Sequence, residues 1–236
     1  MTLPTINVPT YELKIPSTKE KIKFRPFLVK EEKILLLALE SGEDATISIA
    51  LKQIVNNCTF EKLVLDDLAL FDLEYLFLRV RAKSVGEVAH IRVMCPDDGE
   101  TYVEVDVPLE EIEVDFPDEH TNDIKITDTV GVTMGYPQFE DYYKEFDENE
   151  TSIDYSMNLI RKSIKNIYEG EDIHEKVDFN DKELTGFLES LNTDQFTKLQ
   201  NFFSTMPRLK YDVEVTNPKT EVKSTVTLEG LNSFFV

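Results

Sequence analysis

Apolar residues change their period several times along this chain, and each change marks an element. Tyr11 to Ile15 and Lys21 to Phe24 are short alternating runs around Pro16-Ser17-Thr18, which predicts an N-terminal hairpin. After Pro26 the spacing turns helical. Val29 to Glu40 is dense in leucine and stops at Ser41-Gly42, a C-terminal stop signal, and Asp44 is expected to cap a second helix whose Ile47, Leu51, Ile54, Val55 and Cys58 share one face. These two helices should pack as an antiparallel pair. A third helix is expected from near Asp66-Asp67 to about Lys83, apolar on nearly every side and therefore the central, most buried one. Its acids Asp72 and Glu74 lie early and Arg79, Arg81 and Lys83 lie late, as the helix dipole favours.

From Gly86 the period is two. Ala89, Ile91, Val93 and Cys95 alternate with polar neighbours, Val103, Val105 and Val107 do the same, and Pro96-Asp97-Asp98-Gly99 between them has turn chemistry. Ile124 to Ile126 and Val130 to Met134 suggest another strand pair. Helices are then expected at about Gln138–Phe146, Ser152–Tyr168, Lys182–Leu191 and Asp194–Thr205, with Gly170 to Asp181 as an acidic connecting loop. Leu209 to Val215 and Val222 to Leu228 close the chain as a hairpin around Asn217-Pro218-Lys219-Thr220. Both hairpins that follow x-[Cys/Asn]-Pro end in Leu-Glu-x-apolar, at Leu109 to Ile112 and Leu228 to Leu231, an echo that either coincidence or an internal repeat explains. The fold class is α+β: a hairpin and helices over 1–84, a β-rich acidic part over 85–136, and helices ending in a hairpin over 137–236, parts compatible with one packed domain.

Composition narrows the class without naming a function. The 236 residues are 41% hydrophobic and 30% charged, enough to build a core. The longest apolar run, Ile34 to Leu39, is far shorter than the roughly 18 residues of a bilayer span, and the opening MTLPTINVPT lacks the basic-then-apolar order of a signal peptide, so a soluble protein not exported by the usual route is expected. Cys58 and Cys95 cannot make a disulfide framework, which suits a reducing compartment. Charge is more informative. The net charge is -21, and residues 97–154 carry twenty acids against Lys125 and Lys144, a field that repels phosphate backbones and anionic lipid. Neither nucleic acid nor membrane is expected as a partner; the segment reads as a solvated face, or as a surface that meets a basic partner.

Candidate chemistry is thin. Cys95-Pro96-Asp97-Asp98-Gly99 has the shape of half a zinc ribbon, but the second cysteine position is Asp98 and the other turn offers Asn217 and Thr220, so four soft or imidazole ligands are not assembled. A calcium loop starting at Asp147 fails because Ser152 and Asn158 stand where Gly and Glu are needed. His90, His120 and His174 are scattered, and no phosphate-binding, nucleophile-elbow or zinc-protease motif occurs. No catalytic, cofactor-binding or metal residues are assigned, no small-molecule substrate is expected, and a non-enzyme is the reading.

Four stretches point further. Tyr11-Glu12-Leu13 with Pro16-Ser17-Thr18, Phe24-Arg25-Pro26-Phe27-Leu28-Val29-Lys30-Glu31-Glu32-Lys33, Phe71 to Leu78 with Arg81-Ala82-Lys83-Ser84, and Leu228-Glu229-Gly230-Leu231 to Phe235 together resemble the baseplate hub protein of T4-like contractile-tailed bacteriophages. The resemblance spans most of the chain and is most specific in its first 85 residues. It implies a component of the virion tail baseplate, assembled in the host cytoplasm, that helps build the central hub through contacts with other hub and tail proteins. A transient assembly chaperone absent from the finished virion is the alternative. Some members carry C-x-x-C at the last hairpin turn; Asn217-Pro218-Lys219-Thr220 here puts metal binding in doubt. Candidate contact residues are Arg25 and Phe27, Arg208, and Phe234 and Phe235 of the apolar tail: each Arg lies beside a Pro at an element boundary, as a rigid connector or as an exposed anchor.

Overall fold

The structure, a computed structural model, describes residues 6–138 and 151–234. It is α+β, with six α-helices and eleven strands in small antiparallel sheets among the described residues. The chain divides into two compact units, Met1–Asp115 with Arg208–Val236, and Phe116–Pro207.

In the first unit β1 (Tyr11–Lys14) and β2 (Lys21–Phe24) form the expected hairpin, with Tyr11 opposite Phe24. Helix α1 (Val29–Ser41) ends at Gly42, whose φ of 68° is the left-handed conformation that a residue without Cβ adopts freely, and its amide donates to the Leu39 carbonyl. Helix α2 (Asp44–Cys58) packs on α1, but Glu43 occupies its cap position and Asp44 is its first residue, so the expected Asp44 cap is corrected by one position. The third helix also starts later than the sequence suggests. Asp66 and Asp67 sit in a single 3₁₀ turn (Leu65–Asp67), and α3 (Leu70–Val85) follows it, burying ten residues from Leu70 to Ala82. Strands β3 (Val88–Met94) and β4 (Tyr102–Pro108) form the expected hairpin, with Ile91 opposite Val105. A short β5 (Glu113–Asp115), not anticipated, adds to β10 (Arg208–Thr216), which pairs on its other side with β11 (Lys223–Glu229).

The second unit holds a four-stranded antiparallel sheet, β6 (Asp123–Lys125), β7 (Val130–Met134), β8 (Ile164–Glu169) and β9 (Asp172–Glu175), with α4 (Ser152–Ser163), α5 (Asp181–Ser190) and α6 (Thr193–Thr205). Its core is built from Ile124, Val132, Met134, Ile160, Ile164, Leu184, Leu188, Leu199 and Phe202. Two expectations are corrected here. The helix expected to reach Tyr168 stops at Ser163, and Ile164 to Glu169 crosses over as a strand on β7; Gly170, at φ 60°, then turns the chain into β9, so the expected loop begins as a hairpin arm and continues through a 3₁₀ turn at Lys176–Asp178. Ile164, Ile167 and Tyr168 are β-branched or aromatic and gain more from a ladder than from extending the helix. The helix expected at Gln138–Phe146 lies, apart from its first residue, outside the described residues.

Candidate functional site

Helix α3 is the anchor of the first unit, and its polar residues tie down segments that are far away in sequence. Asp72 is fully buried; its carboxylate accepts the Ser17 amide at 2.9 Å and the Ser17 hydroxyl, fixing the β1–β2 turn. Burial pushes this carboxyl above its ordinary range, against the pull of the Ser17 hydrogen bonds. Two residues on, buried Glu74 accepts the Leu231 amide at 3.3 Å and so holds the closing 3₁₀ turn, Leu231–Phe234. Arg79 donates to the carbonyls of Leu109 (2.9 Å) and Ile112 (2.7 Å) and to the Glu113 carboxylate (2.8 Å). Near the end of the helix the Ser84 hydroxyl accepts the Phe27 amide at 2.8 Å. One helix therefore fixes the first turn, the β2–α1 junction, the chain after β4 and the end of β11. The four stretches that carry the sequence resemblance meet here.

The residues singled out from sequence fall at different places on this framework. Arg25 and Phe27 share the β2–α1 junction. The Arg25 guanidinium is 11% exposed and grips the buried Glu31 carboxylate at 3.0 Å while donating to the Pro26 carbonyl at 2.9 Å. Burial opposes the charge on Glu31, but hydrogen bonds from Arg25 and from the Leu28 amide outweigh it and hold the carboxyl below its ordinary range. Phe27 packs its ring 5.9 Å from that of Phe77. Arg208 is the first residue of β10 and bonds Glu229 across the hairpin at 2.9 Å. Phe234 is completely enclosed within the first unit, and Phe235 lies outside the described residues. Sequence reasoning missed the roles of Glu31, Asp72 and Glu74; it took the last two for ordinary helix acids. For Asp72 and Glu74 the signal was their place inside an otherwise apolar stretch; Glu31, between Lys30 and Glu32, carried none.

A second polar lock joins the two hairpins that echo each other in sequence. The Asn217 side-chain amide donates to both oxygens of Asp97, at 3.1 and 3.0 Å, and the Thr220 hydroxyl donates to the same carboxylate. These hydrogen bonds hold the Asp97 carboxyl below its ordinary range. The turns repeat one another in the backbone as well: the Gly99 amide donates to the Cys95 carbonyl and the Glu221 amide to the Asn217 carbonyl. Both cysteines are buried, and burial pushes the Cys58 thiol up to about 11, so neither supplies a thiolate at neutral pH. Among the described residues no group of three or more His, Cys, Asp or Glu is arranged to hold a metal ion, and no helix is long and apolar enough to cross a membrane.

The outer surface of the same unit is less polar than a solvated helix pair warrants. Helix α1 buries Glu31, Leu35 and Ala38 but leaves Leu36, Leu37 and Leu39 exposed at 54, 56 and 43%, with Val29 more exposed still. On α2, Ile49 is 63% exposed. Large apolar residues clustered on the exposed side of a helix mark a surface that another protein covers. This face, on a helix that packs against α2 and whose leading junction is held to α3 by the Phe27–Ser84 hydrogen bond, is the strongest candidate for a functional site, and the chemistry it offers is protein contact.

The family model described as T4 bacteriophage base plate protein matches residues 8–236, the region that contains every element above. No curated protein and no solved structure matches the chain. The match covers all the stretches converging on α3, and the chain belongs to the T4 bacteriophage base plate protein family.

Proposed function

We propose that this baseplate protein is a non-enzymatic structural and assembly subunit of the tail baseplate hub, acting through contacts with other hub and tail proteins and joining the virion after assembly in the host cytoplasm. The observation that carries this reading is the apolar outer face of α1, Leu36, Leu37 and Leu39 exposed on a unit whose interior is otherwise closely tied. Exposed leucines on an ordinary surface helix are a liability, and a subunit that buries them on assembly removes it. Titratable groups fit a scaffold too: the buried carboxylates are engaged in holding chain segments, and the thiols are held protonated. The net charge of -21 supports protein rather than nucleic-acid or lipid partners. In this reading Arg25 and Phe27 stiffen the β2–α1 junction and Arg208 the closing hairpin, while the α1 leucines make the contact.

The test is sedimentation of an infected-cell lysate. A structural subunit comigrates with tail intermediates containing other hub components; a protein recovered only as a free chain at the top of the gradient contradicts the proposal.

A further inference from the structure

The two hairpin turns that face each other have the backbone of a metal site and different side chains. Each runs from a first residue through a proline to a fourth, Cys95 to Asp98 and Asn217 to Thr220, and is followed by a left-handed residue, Gly99 at φ 66° or Glu221 at φ 60°. In both, the fifth residue returns its amide to the first carbonyl, at 3.0 Å from Gly99 to Cys95 and 2.9 Å from Glu221 to Asn217. Such turns aim further amides at the side chains of their first and fourth residues. Asp98 accepts the Glu100 and Thr101 amides at 3.1 and 3.0 Å, Asn217 Oδ1 accepts the Lys219 amide at 2.9 Å, and the Thr220 hydroxyl accepts the Val222 amide at 3.3 Å. In a metal site, donors placed in this way orient the ligating atoms and tune them.

The residues present do not fit an ion. A closed tetrahedral site takes four thiolate or imidazole ligands, and of positions 95, 98, 217 and 220 only the first, the buried Cys95, supplies one. Asn217 has its oxygen committed to Lys219, so it turns its amide nitrogen toward the other hairpin and donates to both oxygens of Asp97. The Thr220 hydroxyl donates to the same carboxylate. Two donors converging on one carboxylate cross-link the turns without a cation.

We infer that the facing turns are a metal-free clasp on the backbone of a two-turn metal site, in which the Asp97 carboxylate takes over the cross-link that an ion held by residues 95, 98, 217 and 220 would make. Asp98→Cys, Asn217→Cys and Thr220→Cys together should then complete a four-thiolate site with Cys95.

Titration of the full chain with cobalt(II) tests this, because tetrahedral thiolate coordination gives strong visible absorption. Wild type should show no such bands and should melt at the same temperature in zinc and in EDTA. The triple variant should bind one cobalt per chain with tetrahedral bands, release it to zinc, and melt higher in zinc than in EDTA. Adding Cys95→Ser to the triple variant should weaken cobalt binding by more than the roughly 10- to 100-fold that loss of an outer-shell partner costs. A triple variant that needs metal to fold should recover the wild-type circular dichroism on refolding into zinc and not into EDTA. A triple variant that folds without tetrahedral bands overturns the inference, because the turns then lack the required geometry. If it refolds in neither medium, Asn217→Cys/Thr220→Cys decides in its place: it leaves the first turn intact and offers three thiolates with Asp98, and absence of tetrahedral bands overturns the inference there too. Stoichiometric tetrahedral binding by wild type overturns it from the other side, since the clasp would then be a metal site as it stands.

Discussion

At the scale of single residues the first unit depends on a few buried charges that are fully engaged. Glu31 is the clearest, since its carboxylate bonds Arg25, the Leu28 amide and, at 3.4 Å, the Asn57 side chain. Replacing it by glutamine leaves the Arg25 guanidinium short of its counter-charge in a nearly closed site. Glu31→Gln should cost about 3 kcal/mol in urea unfolding at neutral pH. The same pair sets a pH dependence. Because the folded carboxyl lies below the ordinary 4.5, its stabilisation is complete above that value and is lost as pH falls through the folded value. Stability of the wild type measured across that acid range should therefore fall more steeply than that of Glu31→Gln; parallel curves would mean that the ion pair contributes nothing to folding. Asp72 acts with the opposite sign. Its carboxyl is raised by burial, so its contribution weakens as pH rises from the ordinary 3.8 through the folded value.

At the scale of elements, the sequence made most of the architecture readable where a single period ran between clear turn signals. The β3–β4 and β10–β11 hairpins, α1, α5 and α6 follow from the periods and from Gly42; the asparagine caps Asn180 and Asn192 start α5 and α6 slightly earlier than expected. It was less readable where local and tertiary preferences compete. Ile153, Met157, Ile160, Ile164 and Ile167 form one helical stripe on paper, yet the last two belong to β8, because the free edge of β7 offers a ladder that no local pattern reveals. The lock between the hairpin turns was half legible: Asn217 and Thr220 were noted for failing as zinc ligands, and their role as donors to Asp97 appears only once the turns are brought together. That lock gives an element-scale prediction. Asn217 is buried, so Asn217→Ala removes both hydrogen bonds to Asp97 and should cost about 1–3 kcal/mol. Faster amide exchange at Cys95 and Gly99 should accompany it, whereas protection unchanged in the opposite turn would show that the hairpins are held by their apolar faces alone.

At the scale of the whole molecule, a closely tied first unit and an acidic chain with exposed leucines suit a component of the baseplate. Helix α3 gathers the β1–β2 turn, the β2–α1 junction, the chain after β4 and the closing 3₁₀ turn, which fixes the outward face of α1 on a framework anchored from several sides. Preorganisation of this kind lowers the ordering cost when a partner binds. A transient chaperone has the same need for an apolar face, but it leaves when its client is assembled, and this difference decides between the two roles. The most direct measurement is the amount of the chain in purified, infectious particles, quantified by mass spectrometry against a tail protein of known copy number. A structural subunit gives the same fixed, whole-number ratio in every preparation; a chain abundant in the lysate but absent from the particles contradicts the account.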